Sequence, residues 1–451
     1  MTGERAASDF TRGKILSPLV RFMIPVFFSM LIQSLYGAVD LLIVGKFASS
    51  VDVSAVATGS QILFTLTNLV ASFSMGTTIL LGQMIGQGRG KEGGDIIGAS
   101  LCLFAAVALV FTGAVPLAAD ALASVMNAPE EAFGETVAYL RICGAGFLFI
   151  IAYNLIGSVF RGIGDSKTPL VTVIIASVFN IFGDLLLVAV FKMGTRGAAI
   201  ATVAAQALSV VISFFLIRRK SLPFTFRREQ LRFDGRIIGR VTLLGLPIAL
   251  QDLLVGVSFL IITAIVNDLG LTASAAIGVA EKVCGFIMLV PSAFMQAMAA
   301  FVAQNVGAGR YDRAKRALLY AVGISAALAV VMFAVTFWRG DLLSAVFSND
   351  GEVILASADY LRAYAIDCLL TCFLFCFIGY FNGLGMTRFV MIQGIVGAFC
   401  VRVPVSFLMA RAEPVSLFRI GLATPCSTLL QIALCFAACA WAEKKRRGSL
   451  A

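Results

Sequence analysis

Residues 19–46 read LVRFMIPVFFSMLIQSLYGAVDLLIVGK. This run exceeds the roughly 20 apolar residues that carry a helix across the hydrocarbon core of a bilayer. Asp40 is its only charged residue away from the ends. Similar runs recur along the chain, at about 54–82, 95–117, 133–158, 169–191, 196–217, 237–267, 273–302, 315–337, 354–379, 387–410 and 417–441. Their lengths and breaks predict twelve transmembrane helices, several long enough to tilt or to extend past the bilayer. Pro25 and Pro247 fall inside spans 1 and 7, where each is expected to kink its helix.

Composition supports this reading. The chain has 451 residues, of which 59% are hydrophobic and only 13% charged, and its mean hydropathy is +0.95. A soluble domain carries about 25% charged residues. There is no histidine, so Ser-His-Asp triads, histidine-based acid–base catalysis and His-ligated metal sites are excluded. No nucleophile–base pair or metal motif suggests an enzyme. All ten cysteines lie in apolar stretches, and no CxxC pair occurs. Cys368, Cys372 and Cys376 share one helical face, where small residues serve close helix packing. The polar N-terminus lacks the short apolar core and small-residue cleavage site of a removable signal peptide.

Lys and Arg are distributed unevenly. Counted with basic residues at the adjoining span ends, the N-terminus, the loops after spans 2, 4, 6, 8 and 10, and the C-terminal tail hold 24 basic residues against 6 for the opposite loops. By the positive-inside rule, both termini face the cytoplasm and the chain is a multi-pass protein of the cell (inner) membrane. The same rule accounts for the net charge of +10. Nucleic-acid binding is not needed to explain the basic segments.

The chain also resembles itself. Gln83-x-x-Gly86-x-Gly88-Arg89 recurs as Gln304-x-x-Gly307-x-Gly309-Arg310, Tyr139-Leu140-Arg141 as Tyr360-Leu361-Arg362, and Gly162-x-Gly164 as Gly383-x-Gly385, all at an offset of 221. Pro25 and Pro247 correspond at 222. An even number of spans per repeat gives both halves the same membrane orientation, related by a pseudo-twofold axis along the membrane normal. The expected organisation is an N-lobe over 1–217, a basic linker over 218–236 and a C-lobe over 237–451. The glycine-rich sequences lack a preceding strand and a GK[ST] ending, so they are read as helix ends rather than phosphate loops. With no Walker A motif, the chain has no sign of ATP use.

An ionisable residue inside a span is expensive and needs a partner or a water-filled cavity. Gln33, Tyr36 and Asp40 share one face of span 1. Asn180 and Asp184 stand one turn apart in span 5, and Thr202 and Gln206 one turn apart in span 6. If these faces converge, their oxygens suit a hard cation such as Na⁺. Alternatively, the two carboxyls share a proton, since two like charges in an apolar span cannot both ionise cheaply. A hydrogen-bond network that only fixes packing is the third reading. The second half does not repeat the set, because Asn180, Asp184 and Asp40 map onto Val401, Val405 and Ile262. It has polar residues of its own: Gln251 and Asp252 in span 7, Glu281 and Lys282 in span 8, Asp367 in span 10 and Arg402 in span 11. Arg402 is a candidate to neutralise Asp252 or Asp367.

Over residues 15–445 the chain resembles the multidrug and toxic compound extrusion (MATE) transporters. The resemblance rests on the two six-helix halves, the aspartate before LLIVGKF, the Asn-x-x-x-Asp of span 5 and the RGIGDSKTP loop after span 4. It implies that Asp40, Asn180, Asp184 and Thr202 form the N-lobe cation site of the DinF-like branch, with Asp40 the proton- or Na⁺-linked carboxylate. The NorM-like branch uses acids in spans 7 and 10, but Asp252 and Asp367 stand about one turn from those positions, so the C-lobe site is not carried over. The expected function is H⁺- or Na⁺-coupled antiport of amphipathic, cationic organic compounds by alternating access. Gln33, Tyr36, Gln206, Gln251, Asp252 and Asp367 are candidates to line the cargo cavity. The alternative is a flippase for a lipid-linked precursor, which would need several cavity arginines. No cofactor or metal is implied beyond the transported H⁺ or Na⁺. The implied partners are small-molecule cargo and the bilayer, and the expected state is a monomer.

Overall fold

The computed structural model describes residues 10–220, 222–224 and 226–448. Among these residues all regular structure is helical. That is the expected outcome for a chain whose backbone must pair with itself in lipid. Eleven helices are long and apolar enough to span a bilayer, and one bent pair supplies a twelfth. They are α1 (Leu16–Phe47), α2 (Ser50–Gly86), α3 (Gly93–Leu117), α4 (Glu130–Ala145 and Phe147–Gly162, bent by 52°), α5 (Lys167–Val190) and α6 (Gly194–Arg219). The second half supplies α7 (Gly235–Asn267), α8 (Leu271–Gly307), α9 (Tyr311–Ala345), α10 (Gly351–Gly383), α11 (Thr387–Ala410) and α12 (Leu417–Trp441). Every predicted span lies on one of these helices.

The sequence echoes have structural counterparts. Gly88 and Gly309 adopt φ of 74° and 69°, and Gly164 and Gly385 adopt 83° and 80°. Each follows a helix end, and the next amide reaches back to the last turn: Arg89 N to Met84 O, Arg310 N to Asn305 O, Asp165 N to Phe160 O and Met386 N to Phe381 O. These are left-handed glycine caps, which other residues enter only at a cost. Tyr139 and Tyr360 are both buried, each followed by a fully buried leucine and an exposed arginine.

Two compact units divide the chain. The first holds Val20–Ala249 and Ala303–Arg310 with the described residues up to Gly13. The second holds Lys14–Leu19, Leu250–Val302 and the chain from Tyr311 onward. The division cuts α7 and α8 rather than following the linker. In the first unit Gly76 faces the backbone of Val241 and Gly245 with no room for a side chain. The end of α8 joins the same unit through reciprocal contacts, Gly86 against the Gln304 carbonyl and Gly307 against the Gln83 carbonyl. Gln304 also donates to Gly162 O at 3.0 Å and accepts from Phe10 N at 3.4 Å. The core of this unit gathers around Phe104, Tyr139, Phe147 and Phe160.

In the second unit, Tyr360, Leu361 and Cys368 pack with Ile277 and Ala280 of α8. Cys368, Cys372 and Cys376 are fully buried, and Ser325 of α9 donates to Cys372 O at 3.3 Å, so this face serves packing as expected.

A methyl group at Gly86 or Gly307 must displace a helix backbone, whereas Gly323 of α9 has open space around its Cα. Gly86→Ala and Gly307→Ala are each expected to destabilise the protein by about 1–3 kcal/mol. Gly323→Ala should leave it unchanged or slightly more stable. Thermal denaturation in detergent checks this, and equal behaviour of the three variants would contradict it.

Candidate functional site

Asp40 lies on α1 with 4% of its surface exposed, Asn180 and Asp184 on α5 with none, and Thr202 on α6 with 5%. The faces of α1, α5 and α6 come together. Asp40 and Asp184 sit close enough to interact, and Tyr36 of α1 and Tyr139 of α4 both approach Thr202. None of these approaches becomes a well-formed hydrogen bond. Asp40 Oδ1, both side-chain oxygens of Asp184, both polar atoms of Asn180, Thr202 Oγ1, the Tyr36 hydroxyl and Gln206 Oε1 are buried without a partner.

Such a concentration is unusual, because buried polar groups are nearly always satisfied and each lapse costs on the order of 1–3 kcal/mol. Five of these eight atoms are oxygens of Asp40, Asn180, Asp184 and Thr202. As a donor set they fit a hard cation, or a proton shared between two carboxyls.

The backbone at this point is also irregular. Directly after Asp184 the helix widens into a π segment, Leu185–Val190. Lys192 and Gly194 then turn with φ of 55° and 52° before α6 begins. π segments re-aim side chains and recur at functional sites. The spacing of apolar residues carries no signal for this widening, and the sequence reading missed it.

The cavity candidates divide. Tyr36 approaches Asp40 and Thr202, and Gln206 stands one turn from Thr202 on α6 with its Oε1 buried, but Gln33 is exposed and donates to the Tyr153 hydroxyl at 3.4 Å. Gln251 is buried against Gly394, and Asp367 is buried and accepts from Thr371 at 2.7 Å. Asp252, next to Gln251, is exposed instead, because consecutive helical residues point about 100° apart. Arg402 is buried in a second π segment, Val396–Arg402. It donates to Ser258 Oγ at 3.1 Å and lies 4.3 Å from the Phe259 ring centre. Asp367 lies near enough to interact with it electrostatically.

Arg161, which the sequence places in the loop after span 4, belongs instead to a helix. It lies in the last turn of α4, partly buried, and donates to Ser158 Oγ at 2.9 Å. Ser158 meets Ser74 Oγ of α2 at 2.6 Å.

Asp165, in the loop between α4 and α5, presents the opposite case. It accepts from the backbone amides of Lys167 and Thr168, from Thr168 Oγ1 at 2.6 Å and from Lys220 Nζ at 2.6 Å. Burial pushes its carboxyl upward, but the bonds from Lys220 and Thr168 outweigh burial and hold it below the ordinary carboxylate range.

The MatE family model matches residues 25–186 and again 247–408, once in each half. The chain belongs to the MatE family. The two MatE matches stand 222 residues apart, the offset that relates Pro25 to Pro247. The chain is 29% identical over 308 residues to the probable multidrug resistance protein YpnP of Bacillus subtilis, covering 68% of each chain. It is 22% identical over 410 residues to the multidrug export protein MepA of Staphylococcus saprophyticus, covering 89% of this chain and 88% of that one. A crystal structure of MATE in the bent conformation superimposes with a TM-score of 0.90 at 20% identity over 98% of both chains. These relatives are named for multidrug resistance, multidrug export and MATE, not for an enzyme.

Asp165 and Asp184 should respond oppositely to neutralisation. Asp165→Asn is expected to cost about 1–2 kcal/mol at pH 7. A carboxyl held low in the folded state contributes its full stability above its unfolded value. The difference from wild type should therefore fade as pH falls below ~4. Asp184→Asn removes no formed bond, so stability should be unchanged or raised. Melting temperatures of both variants across pH 3–8 check this. A loss at Asp184 equal to that at Asp165 would make the cluster a packing network.

Proposed function

We propose that the protein is a cation-coupled secondary antiporter that exports amphipathic, cationic organic compounds by alternating access. The observation that carries this reading is the group of buried, partnerless oxygens on Asp40, Asn180, Asp184 and Thr202. A bound Na⁺ or a proton on the carboxyl pair satisfies them, so cation loading stabilises one conformation over another. Coupling then follows if cargo and cation prefer different states or compete. Asp40 is the coupling carboxylate, Asp184 its acidic partner, and Asn180 and Thr202 supply the remaining ligands, as in the DinF-like branch. The acids also favour cationic cargo, and α1, which runs through Pro25, is the element that repacks on loading.

The relatives' names support multidrug export as the cargo class. They do not favour flipping of a lipid-linked precursor. The basic loops support an inner-membrane location with cytoplasmic termini. The reading requires no ATP, nucleic acid or cofactor, and a monomer suffices.

The test is dye efflux from proteoliposomes, with a pH gradient and a Na⁺ gradient imposed in turn. One gradient should drive wild-type efflux, which identifies the cation. Asp40→Asn should lower gradient-driven efflux at least about tenfold, in line with the loss of an essential ionisable group. Wild-type rates in Asp40→Asn under both gradients would exclude Asp40 as the coupling residue.

A further inference from the structure

The segment between α6 and α7 is not a loose tether. Phe224 is 6% exposed and packs on Gly93 and Leu81. Gln230 lies across Gly94 and Gly98 of α3, so close that a side chain at either glycine would meet it. Gln230 Oε1 accepts from Arg227 N at 2.9 Å and closes a helical turn, Arg228–Gln230. The turn is thereby clamped to the first unit through contacts that only glycine permits.

The outward side of the clamped segment has a distinct composition. Arg227, Arg228, Arg232, Arg236 and Arg240 are exposed. Among the described residues none of these five forms an ion pair with a carboxylate. The acids within the segment are Glu229 and Asp234, and Asp234 is occupied in capping α7 through the amides of Arg236 and Ile237. Between the arginines stand Phe226, Leu231 and Phe233, exposed by 45%, 56% and 73%. The segment joins the last turn of α6 to the first of α7, so connectivity places it at the membrane–water boundary.

Anchoring by the positive-inside rule needs only charge; it does not need a docked backbone or exposed aromatic side chains. From the combination we propose that residues 226–240 form a binding surface for anionic phospholipid headgroups. The guanidinium groups take the phosphodiester, and Phe226, Leu231 and Phe233 enter the acyl boundary beside it. Guanidinium suits this task because its planar donors match phosphate oxygens in pairs. Exposed apolar side chains between basic residues are the pattern of an interfacial segment. The clamp on α3 gives the surface a fixed position in the leaflet.

The test uses the full-length protein, purified and then equilibrated with equimolar phosphatidylglycerol and phosphatidylcholine. Lipids retained after detergent washing are counted by native mass spectrometry. Wild type should retain phosphatidylglycerol in preference, and raising NaCl to 0.5 M should weaken the preference. An arginine near a charged leaflet is worth about fivefold in binding, so Arg227→Gln/Arg228→Gln/Arg232→Gln should lower the preference at least about tenfold. The corresponding triple lysine variant should keep most of it. Arg339→Gln, which lies outside the segment, should keep all of it. Leu231→Ser/Phe233→Ser should lower retention of both lipids while keeping their ratio. Equal retention of the two lipids by wild type, or wild-type preference in the triple glutamine variant, would overturn the proposal.

Discussion

A polar atom in an apolar span must be paired, hydrated or charged for a reason, because the alternative costs free energy with no return. The structure of this chain depends on that constraint. It makes every regular element a helix and turns long apolar runs into spans. It also gives meaning to the few places where the pairing is incomplete. Asp40, Asn180, Asp184 and Thr202 are such a place, with their oxygens buried and unmatched. Other buried or half-buried groups in the same unit are paired. Asp165 has four donors, Ser74 and Ser158 meet each other, and Gln304 satisfies both Gly162 and Phe10.

That contrast sets the cluster apart from the paired groups around it. A network built for stability fills its hydrogen bonds. A site that exchanges a cation must leave them open in at least one state. The π segment after Asp184 fits the same logic, since it shifts the register of α5 where the carboxyl faces Asp40. The second half keeps the glycine caps and the buried tyrosine of the repeat but places valines and an isoleucine where the first has Asn180, Asp184 and Asp40. The repeat thus keeps the means of ending and packing helices, while each copy carries its own buried ionisable residues, Asp40 and Asp184 in the first and Asp367 and Arg402 in the second.

Much of this could be read from the residues. Span positions follow from apolar length, and one-turn spacing puts Gln33, Tyr36 and Asp40, Asn180 and Asp184, and Thr202 and Gln206 on shared faces of their own helices; that these faces meet is implied only by the family resemblance. What could not be read depends on backbone detail or on distant partners. The bend of α4 at Gly146 arises where Val203 of α6 presses on a glycine. The exposure of Asp252 beside the buried Gln251 depends on how α7 is rotated, which apolar periodicity leaves undetermined in a helix that is hydrophobic on all sides. Arg161 looked like a loop residue because Gly162 and Gly164 follow it, yet α4 continues through it to its glycine cap. The docking of Phe224 and Gln230 on α3 depends on three glycines more than a hundred residues upstream.

The central claim is that the Asp40 cluster holds a cation which cargo displaces. The most direct measurement is the affinity of a cationic dye for the purified protein, titrated at increasing H⁺ and then at increasing Na⁺ concentration. The account predicts that affinity falls steadily with one of these cations in wild type and becomes insensitive to it in Asp40→Asn/Asp184→Asn. An unchanged cation dependence in the double variant would contradict it.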